Sequence, residues 1–387
     1  MGVISAIGNS VEENHMSLVN GRHGIGTLTL FPTAYADKRP CGEIKIPTET
    51  LRKKLKVQEP GVTRTTLLAL HAFEEALTDC GWTEGQLRTH DTALINATTV
   101  GGMCLTDELY QDANKESGGS EYLSSYDCGS IGIYIARRHE IGGIVNTINT
   151  ACSSSANAIM YGARLIENGF AKRAIVGGTD SLAKFTINGF NSLHILSPEM
   201  CTPFDKDRRG LNLGEGAAFL VLEKEEDIHN RKVYARLTGY ANTNDAFHPS
   251  SISEEGEGPF LSMQQALRAA NLSPDKIDCI NAHGTGTENN DETESRAMLR
   301  LFEKPPAFVS TKSYTGHTLG ASGAMEAVYT ILNLYKQEIY PSLHFKEAIP
   351  STMLKPITAY QNMRVSHAMS NSFGFGGNCT SLIFSKY

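Results

Sequence analysis

The chain has 387 residues, 40% hydrophobic and 20% charged, with 36 glycines and a formal net charge of −7. That length exceeds the roughly 250–300 residues at which one hydrophobic core stops growing, so two packed cores are expected. The acidic balance argues against nucleic acid as a partner, and no apolar run approaches the roughly 18 residues of a membrane helix. Met1–Ser5 carries no basic segment of a secretory signal, so the cytoplasm is the expected compartment. The eight cysteines, at 41, 80, 104, 128, 152, 201, 279 and 379, form no CxxC pair and no zinc-site spacing with histidine. Reduced thiols and no metal are expected.

In chain order, residues 65–77 have the period of an amphipathic helix, and Ala93–Asn96 reads as a strand before Gly101-Gly102. Gly143–Ile148 is apolar and β-branched at intervals, the pattern of a buried strand. It runs into Asn149-Thr150-Ala151-Cys152-Ser153-Ser154, after which Ala156, Ile159, Ala163 and Ile166 recur at helical spacing. A glycine loop at 214–216 opens a strand over 218–222. The order then repeats: a helix over 259–267, a strand ending before His283-Gly284, a strand at 308–312, His317, a helix over 324–335, and Gly374–Gly377 opening a strand over 381–384. The same succession twice at similar spacing predicts an α/β fold of two duplicated halves, 1–235 and 236–387, with mixed sheets layered between helices.

In open α/β sheets, sites gather where strands turn into helices. Four turns carry chemistry here. Cys152 falls in the first turn of its predicted helix, where unpaired N–H groups and the helix dipole favour a thiolate. His283 leaves a strand into Gly/Thr-rich sequence, Lys312 and His317 flank Gly316, and Phe375 sits among glycines. Singly, each has a structural alternative: a packing cysteine, a hydrogen-bonding histidine, an exposed lysine, glycines that only supply positive φ. Four such turns at matching points of a duplicated fold point to one composite site.

In this order the motifs TACSSSANAI, HGTGT, STKSYTGHTLGASGAMEA and NSFGFGG resemble the elongating β-ketoacyl-acyl-carrier-protein synthases, condensing enzymes of the thiolase superfamily. The resemblance covers nearly the whole chain, and its Cys/His/His set separates it from the Cys/His/Asn initiating synthases and from thiolases. It implies a thiolase-like fold and decarboxylative Claisen condensation, in fatty acid or specialised polyene and polyketide elongation. Cys152 would accept the acyl chain, and the N–H groups of Cys152 and Phe375 would form the oxyanion hole. His283 and His317 would hydrogen-bond the malonyl thioester carbonyl. Lys312 and Glu326 would be a supporting ion pair that orients His317. Thr285 and Thr287 would line the pantetheine tunnel, Phe375 would gate the cysteine, and Val100 and Phe190 would line the acyl pocket.

The resemblance implies no cofactor beyond the phosphopantetheine that carries the substrates. The implied partners are an acidic acyl carrier protein and a second copy in a homodimer, or a related synthase in a heterodimer. Two basic clusters are candidates for carrier docking: Arg52, Lys53, Lys54, Lys56 and Arg64, and Lys206, Arg208 and Arg209.

Three features depart from the family pattern. The chain begins at Met1 where a further strand is usual: either that strand is absent and a sheet edge is exposed, or the true start lies upstream. The stretches Asp107–Gly129 and Pro198–Asp205 are short. Asn378-Cys379 replaces a common Thr-Asn, which puts the hydrogen bonding behind the oxyanion loop in question. The alternatives are a catalytically silent chain-length-determining partner, which would lack the cysteine, and a cysteine thioesterase, which would leave one histidine and Lys312 idle.

Overall fold

The computed structural model describes residues 1–115, 119–228 and 231–387; Glu116–Gly118, inside the Asp107–Gly129 stretch, and His229–Asn230 lie outside the described residues. The first sheet contains β1 (Gly2–Ser5), β2 (Thr92–Ala97), β3 (Val145–Ile148), β4 (Arg173–Asp180) and β5 (Gly216–Glu223), in the order β1-β5-β4-β2-β3. The second contains β6 (Arg236–Asn244), β7 (Cys279–Asn281), β8 (Ala307–Val309), β9 (His367–Phe373) and β10 (Asn378–Ser385), in the order β8-β7-β9-β10-β6. Counted within each half and read from the first strand, the two orders are the same. The pairings match as well: the second strand runs parallel to the third and fourth, and the fifth antiparallel to the fourth and first.

Seven helices position the site. They are α1 (Arg64–Cys80), α2 (Gly129–Arg138), α3 (Ser154–Glu167), α4 (Lys184–Ser192), α5 (Glu257–Ala270), α6 (Glu288–Leu301) and α7 (Ser322–Lys336). Local signals set their ends. The Thr63 side chain accepts from the Thr66 N–H at the start of α1, and Gly81, at φ 66°, closes it in the left-handed conformation. α1 and α2 cover the outer face of the first sheet, α5 and α6 lie outside the second, and α3 and α7 pack between the two sheets.

A helix between two sheets has no solvent face, and every residue of α7 from Ser322 to Leu334 is buried. Its small residues let α3 come close: a Cβ on Gly323 would lie 2.6 Å from the Ala156 nitrogen. Across the same contact the Ala324 N–H donates to Ser155 Oγ at 2.8 Å. The largest apolar cluster runs through this layer and joins both halves, including Ala156, Ile159, Val176, Ala324, Val328 and Leu382. No helix among the described residues is long and apolar enough to cross a membrane.

Gly2–Ser5 forms β1, one edge of the first sheet, paired only with β5, and the Val3 N–H donates to Glu75 Oε2 at 2.8 Å. One expectation changes: the strand before Cys152 is not buried. β3 is the opposite edge strand, paired only with β2, and its Asn146 is exposed.

Candidate active site

Ala151 holds a left-handed φ of 53° and turns β3 sharply toward α3. Ser153 is the N-cap, so Cys152 stands just ahead of the helix rather than within its first turn. It is 6% exposed. The expected ease of ionisation does not follow: burial pushes the Cys152 thiol up to about 12, against the opposing pull of the Lys312 charge and the Phe375 N–H. Desolvation of a thiolate outweighs the favourable field at the helix start.

Lys312 lies in the short helix after β8 and is 1% exposed. Its Nζ donates to Glu326 Oε1, to the His283 carbonyl oxygen at 2.6 Å and to His283 Nδ1 at 3.3 Å. The ion pair therefore orients His283, not His317 as expected. The reason is steric reach: the lysine extends toward the strand neighbour β7, whose C-terminal turn carries His283. The His317 ring is held instead by Ser322, with Nδ1 2.9 Å from Oγ. With Lys312 donating to Nδ1, the neutral His283 carries its proton on Nε2, and a hydroxyl donated by Ser322 does the same for His317. The two rings meet edge to face, 5.4 Å apart.

Both imidazoles are driven well below 6.5, first by burial and then by the Lys312 charge, so both are neutral donors near pH 7. Burial pushes the Glu326 carboxyl up to about 7, with Lys312 opposing.

The loop from Gly374 completes the constellation. A Cβ on Gly374 would lie 2.6 Å from the Thr150 oxygen and 3.2 Å from the Cys152 nitrogen, so only glycine allows this approach. The Phe375 N–H favours the Cys152 thiolate, and the Phe375 ring stacks on Phe190 with centroids 5.8 Å apart. Behind the loop, Asn378 Oδ1 accepts from Ser153 Oγ at 2.7 Å, Asn157 Nδ2 at 2.9 Å and Asn242 Nδ2 at 2.7 Å. The departure at Asn378 thus supplies the hydrogen bonding that was in question. Cys379 is buried beside Ile252 and Phe373.

Cys152, His283, His317, Phe375, Phe190, Thr285 and Thr287 all face one cavity of about 610 Å³. The Thr285 and Thr287 hydroxyls lie 2.8 Å apart on its wall. Residues 1–228 match the β-ketoacyl synthase N-terminal domain, and residues 234–346 match the β-ketoacyl synthase C-terminal domain. The chain belongs to the β-ketoacyl synthase family.

Among its relatives is a protein named 3-oxoacyl-[acyl-carrier-protein] synthase 2 from Synechocystis, 32% identical over 100% of this chain and 97% of the relative. Another, named putative mitochondrial 3-oxoacyl-[acyl-carrier-protein] synthase, comes from Schizosaccharomyces pombe and is 33% identical over 100% and 98%. A solved structure titled the ishigamide ketosynthase/chain length factor superposes with a TM-score of 0.91 at 28% identity, covering 100% of this chain and 97% of that one.

Within this synthase fold, the remaining sequence candidates fall in different places. Val100 is 2% exposed and does not line the cavity; it lies in an apolar cluster with Leu182, Ile187 and Leu196, against which Phe190 packs. Two docking candidates are corrected. Arg64 is buried in an ion pair with Glu215, and the buried Arg208 donates to the carbonyls of Asp205, Thr287 and Glu288. A charge run in sequence does not reveal that a guanidinium has turned inward to satisfy buried oxygens. Arg209 remains exposed on the cavity rim. Lys206 pairs with Glu347, while Lys53, Lys54 and Lys56 are exposed on or just after the helix Thr48–Lys54, away from the cavity lining. Arg52, on the same helix, donates to the Val62 carbonyl at 2.6 Å.

Three buried carboxylates escaped sequence reasoning. Glu294 accepts the N–H groups of His283 and Gly284, each at 2.9 Å, and burial pushes it up to about 7. Asp291 accepts from the Phe204 N–H at 2.7 Å and the Gly286 N–H at 3.1 Å. The signal was present in the acidic residues at the start of α6, directly after HGTGT. Asp180, at the end of β4, has no such motif. Among the described residues no cluster of His, Cys, Asp and Glu is placed to hold a metal ion.

Proposed function

We propose that this chain is an elongating 3-oxoacyl-acyl-carrier-protein synthase working in two steps at Cys152. In the first, the sulfur attacks the carbonyl of an acyl thioester delivered on phosphopantetheine. The N–H groups of Cys152 and Phe375 receive the oxyanion, and the pantetheine thiol leaves with the proton. In the second, a malonyl thioester presents its carbonyl to His283 and His317. The malonyl carboxylate leaves as carbon dioxide, and its bonding electrons form an enolate stabilised by two Nε2–H donors. The enolate carbon attacks the acyl-Cys152 carbonyl, the Cys152 sulfur leaves, and a β-ketoacyl thioester results. The observation that carries this reading is the pair of neutral histidines, each held at Nδ1, facing the cavity that contains the thiol.

The proposal extends to partners and setting. An acidic carrier protein would dock at the rim bearing Arg209. The unpaired edge of β3, with Ile133 46% exposed on the neighbouring α2, suits a second copy of this chain or a related subunit. All eight cysteines are free, as a cytoplasmic setting would keep them.

Intact mass after incubation with acyl-carrier protein, with and without malonyl-carrier protein, tests the reading. The expected result is an acyl adduct, absent in Cys152→Ala, that converts to β-ketoacyl product only when the malonyl donor is added. Free fatty acid without the donor would indicate a thioesterase, and no adduct would indicate a silent chain-length subunit.

A further inference from the structure

The two halves offer an internal control. Thr150-Ala151-Cys152-Ser153, leading into α3 at Ser154, has its counterpart in Thr318-Leu319-Gly320-Ala321, leading into α7 at Ser322. Ala151 and Leu319 share the same left-handed turn, φ 53° and 52°. Gly320 therefore stands where Cys152 stands. The residues over the two turns also correspond. Asp180 pairs with Gly216, the first residue of β5, and the Gly374 N–H bonds Asn378, the first residue of β10.

At the cysteine turn residue 374 is glycine and lays no side chain over the amide. At the other turn a carboxylate lies there. Asp180 is fully buried, and its Oδ2 accepts from the Gly320 N–H at 2.7 Å and Thr99 Oγ1 at 2.7 Å. Its Oδ1 accepts from Thr98 Oγ1 at 2.6 Å and the Val100 N–H at 3.0 Å, and the Thr99 N–H reaches both oxygens. These donors come from two places: the loop after β2, which carries Val100, and the turn between His317 and Ser322. No cation is among them, so the carboxylate is held by dipoles alone, an arrangement that tolerates little displacement.

We propose that Asp180 is a positioning residue for condensation, clamping the turn that carries His317 to the loop that carries Val100. The turn is short, and Ser322, which holds the His317 ring, begins two residues after the clamped Gly320 amide. Loss of the clamp would misdirect the His317 donor while leaving the Cys152 and Phe375 amides in place. This rests on the condensation role given to His317 above, but its failure is separately visible. Wild-type protein that forms no β-ketoacyl product refutes that role before any variant is made.

The test is Asp180→Asn, which keeps the shape and one acceptor oxygen. Acylation of Cys152 by a short acyl-carrier protein and product formation with malonyl-carrier protein are timed separately, alongside thermal unfolding. Acylation is expected to stay within about threefold of wild type while condensation slows at least about tenfold. Thr98→Val, which removes one donor and spares the carboxylate, should shift condensation in the same direction by about two- to threefold. Equal loss of both steps in step with loss of folded protein, no change in either, or loss of acylation alone would overturn the proposal.

Discussion

The Cys152 and Gly320 turns share a backbone and differ in what lies over the amide. One has only Gly374 over it and bears a thiol; the other is capped by the Asp180 carboxylate and bears no side chain. An amide with no carboxylate over it can receive a developing oxyanion. The same amide satisfied by a carboxylate can only hold structure. Duplication supplied two equivalent turns, and the residues at four positions, Cys152 with Gly374 and Gly320 with Asp180, made one reactive and the other a clamp.

The strongest test of that contrast is Cys152→Gly, which gives the reactive turn the sequence of its counterpart at that position. Acyl adduct and condensation should fall by at least about a thousandfold with the fold intact, checked by intact mass and circular dichroism. Lys312→Ala should come next. It leaves Glu326 buried without its partner and His283 without its Nδ1 donor, with a stability loss of about 3–5 kcal/mol by denaturant unfolding. A second change, Glu326→Ala, should recover most of that stability without recovering activity.

Gly374→Ala narrows the difference from the other side, by putting a methyl 2.6 Å from the Thr150 oxygen. Acylation and condensation should both drop about 10- to 100-fold, since the loop must retreat from the amide. Full activity would show that the close approach of Gly374 to the Cys152 turn is not needed.

The last test leaves the sequence unchanged and varies pH. A thiol pushed up to about 12 by burial is almost entirely protonated at neutral pH, and its thiolate fraction grows with each step upward. Iodoacetamide inactivation should therefore rise about tenfold per pH unit from about pH 6 to 9 without levelling. A plateau below pH 8 would mean that the helix start and Lys312 outweigh desolvation after all.

Much of this was legible in sequence. The repeated order of helix, strand and glycine loop predicted two like halves, and the sheets repeat the same strand order. The motifs around Cys152, His283, His317 and Phe375 pointed to one cavity because short-range signals, such as a glycine that must admit a close backbone, are local. What the tertiary structure decided was burial and the choice of partner. Cys152 is desolvated, β3 is an edge strand, Lys312 reaches His283, and Arg64 and Arg208 face inward. Asp180 joins the loop after β2 to a turn 140 positions beyond Asp180 itself. Desolvation depends on whatever packs around a group, and a long side chain reaches whichever oxygen the fold brings near. Neither quantity is written in the residues beside it.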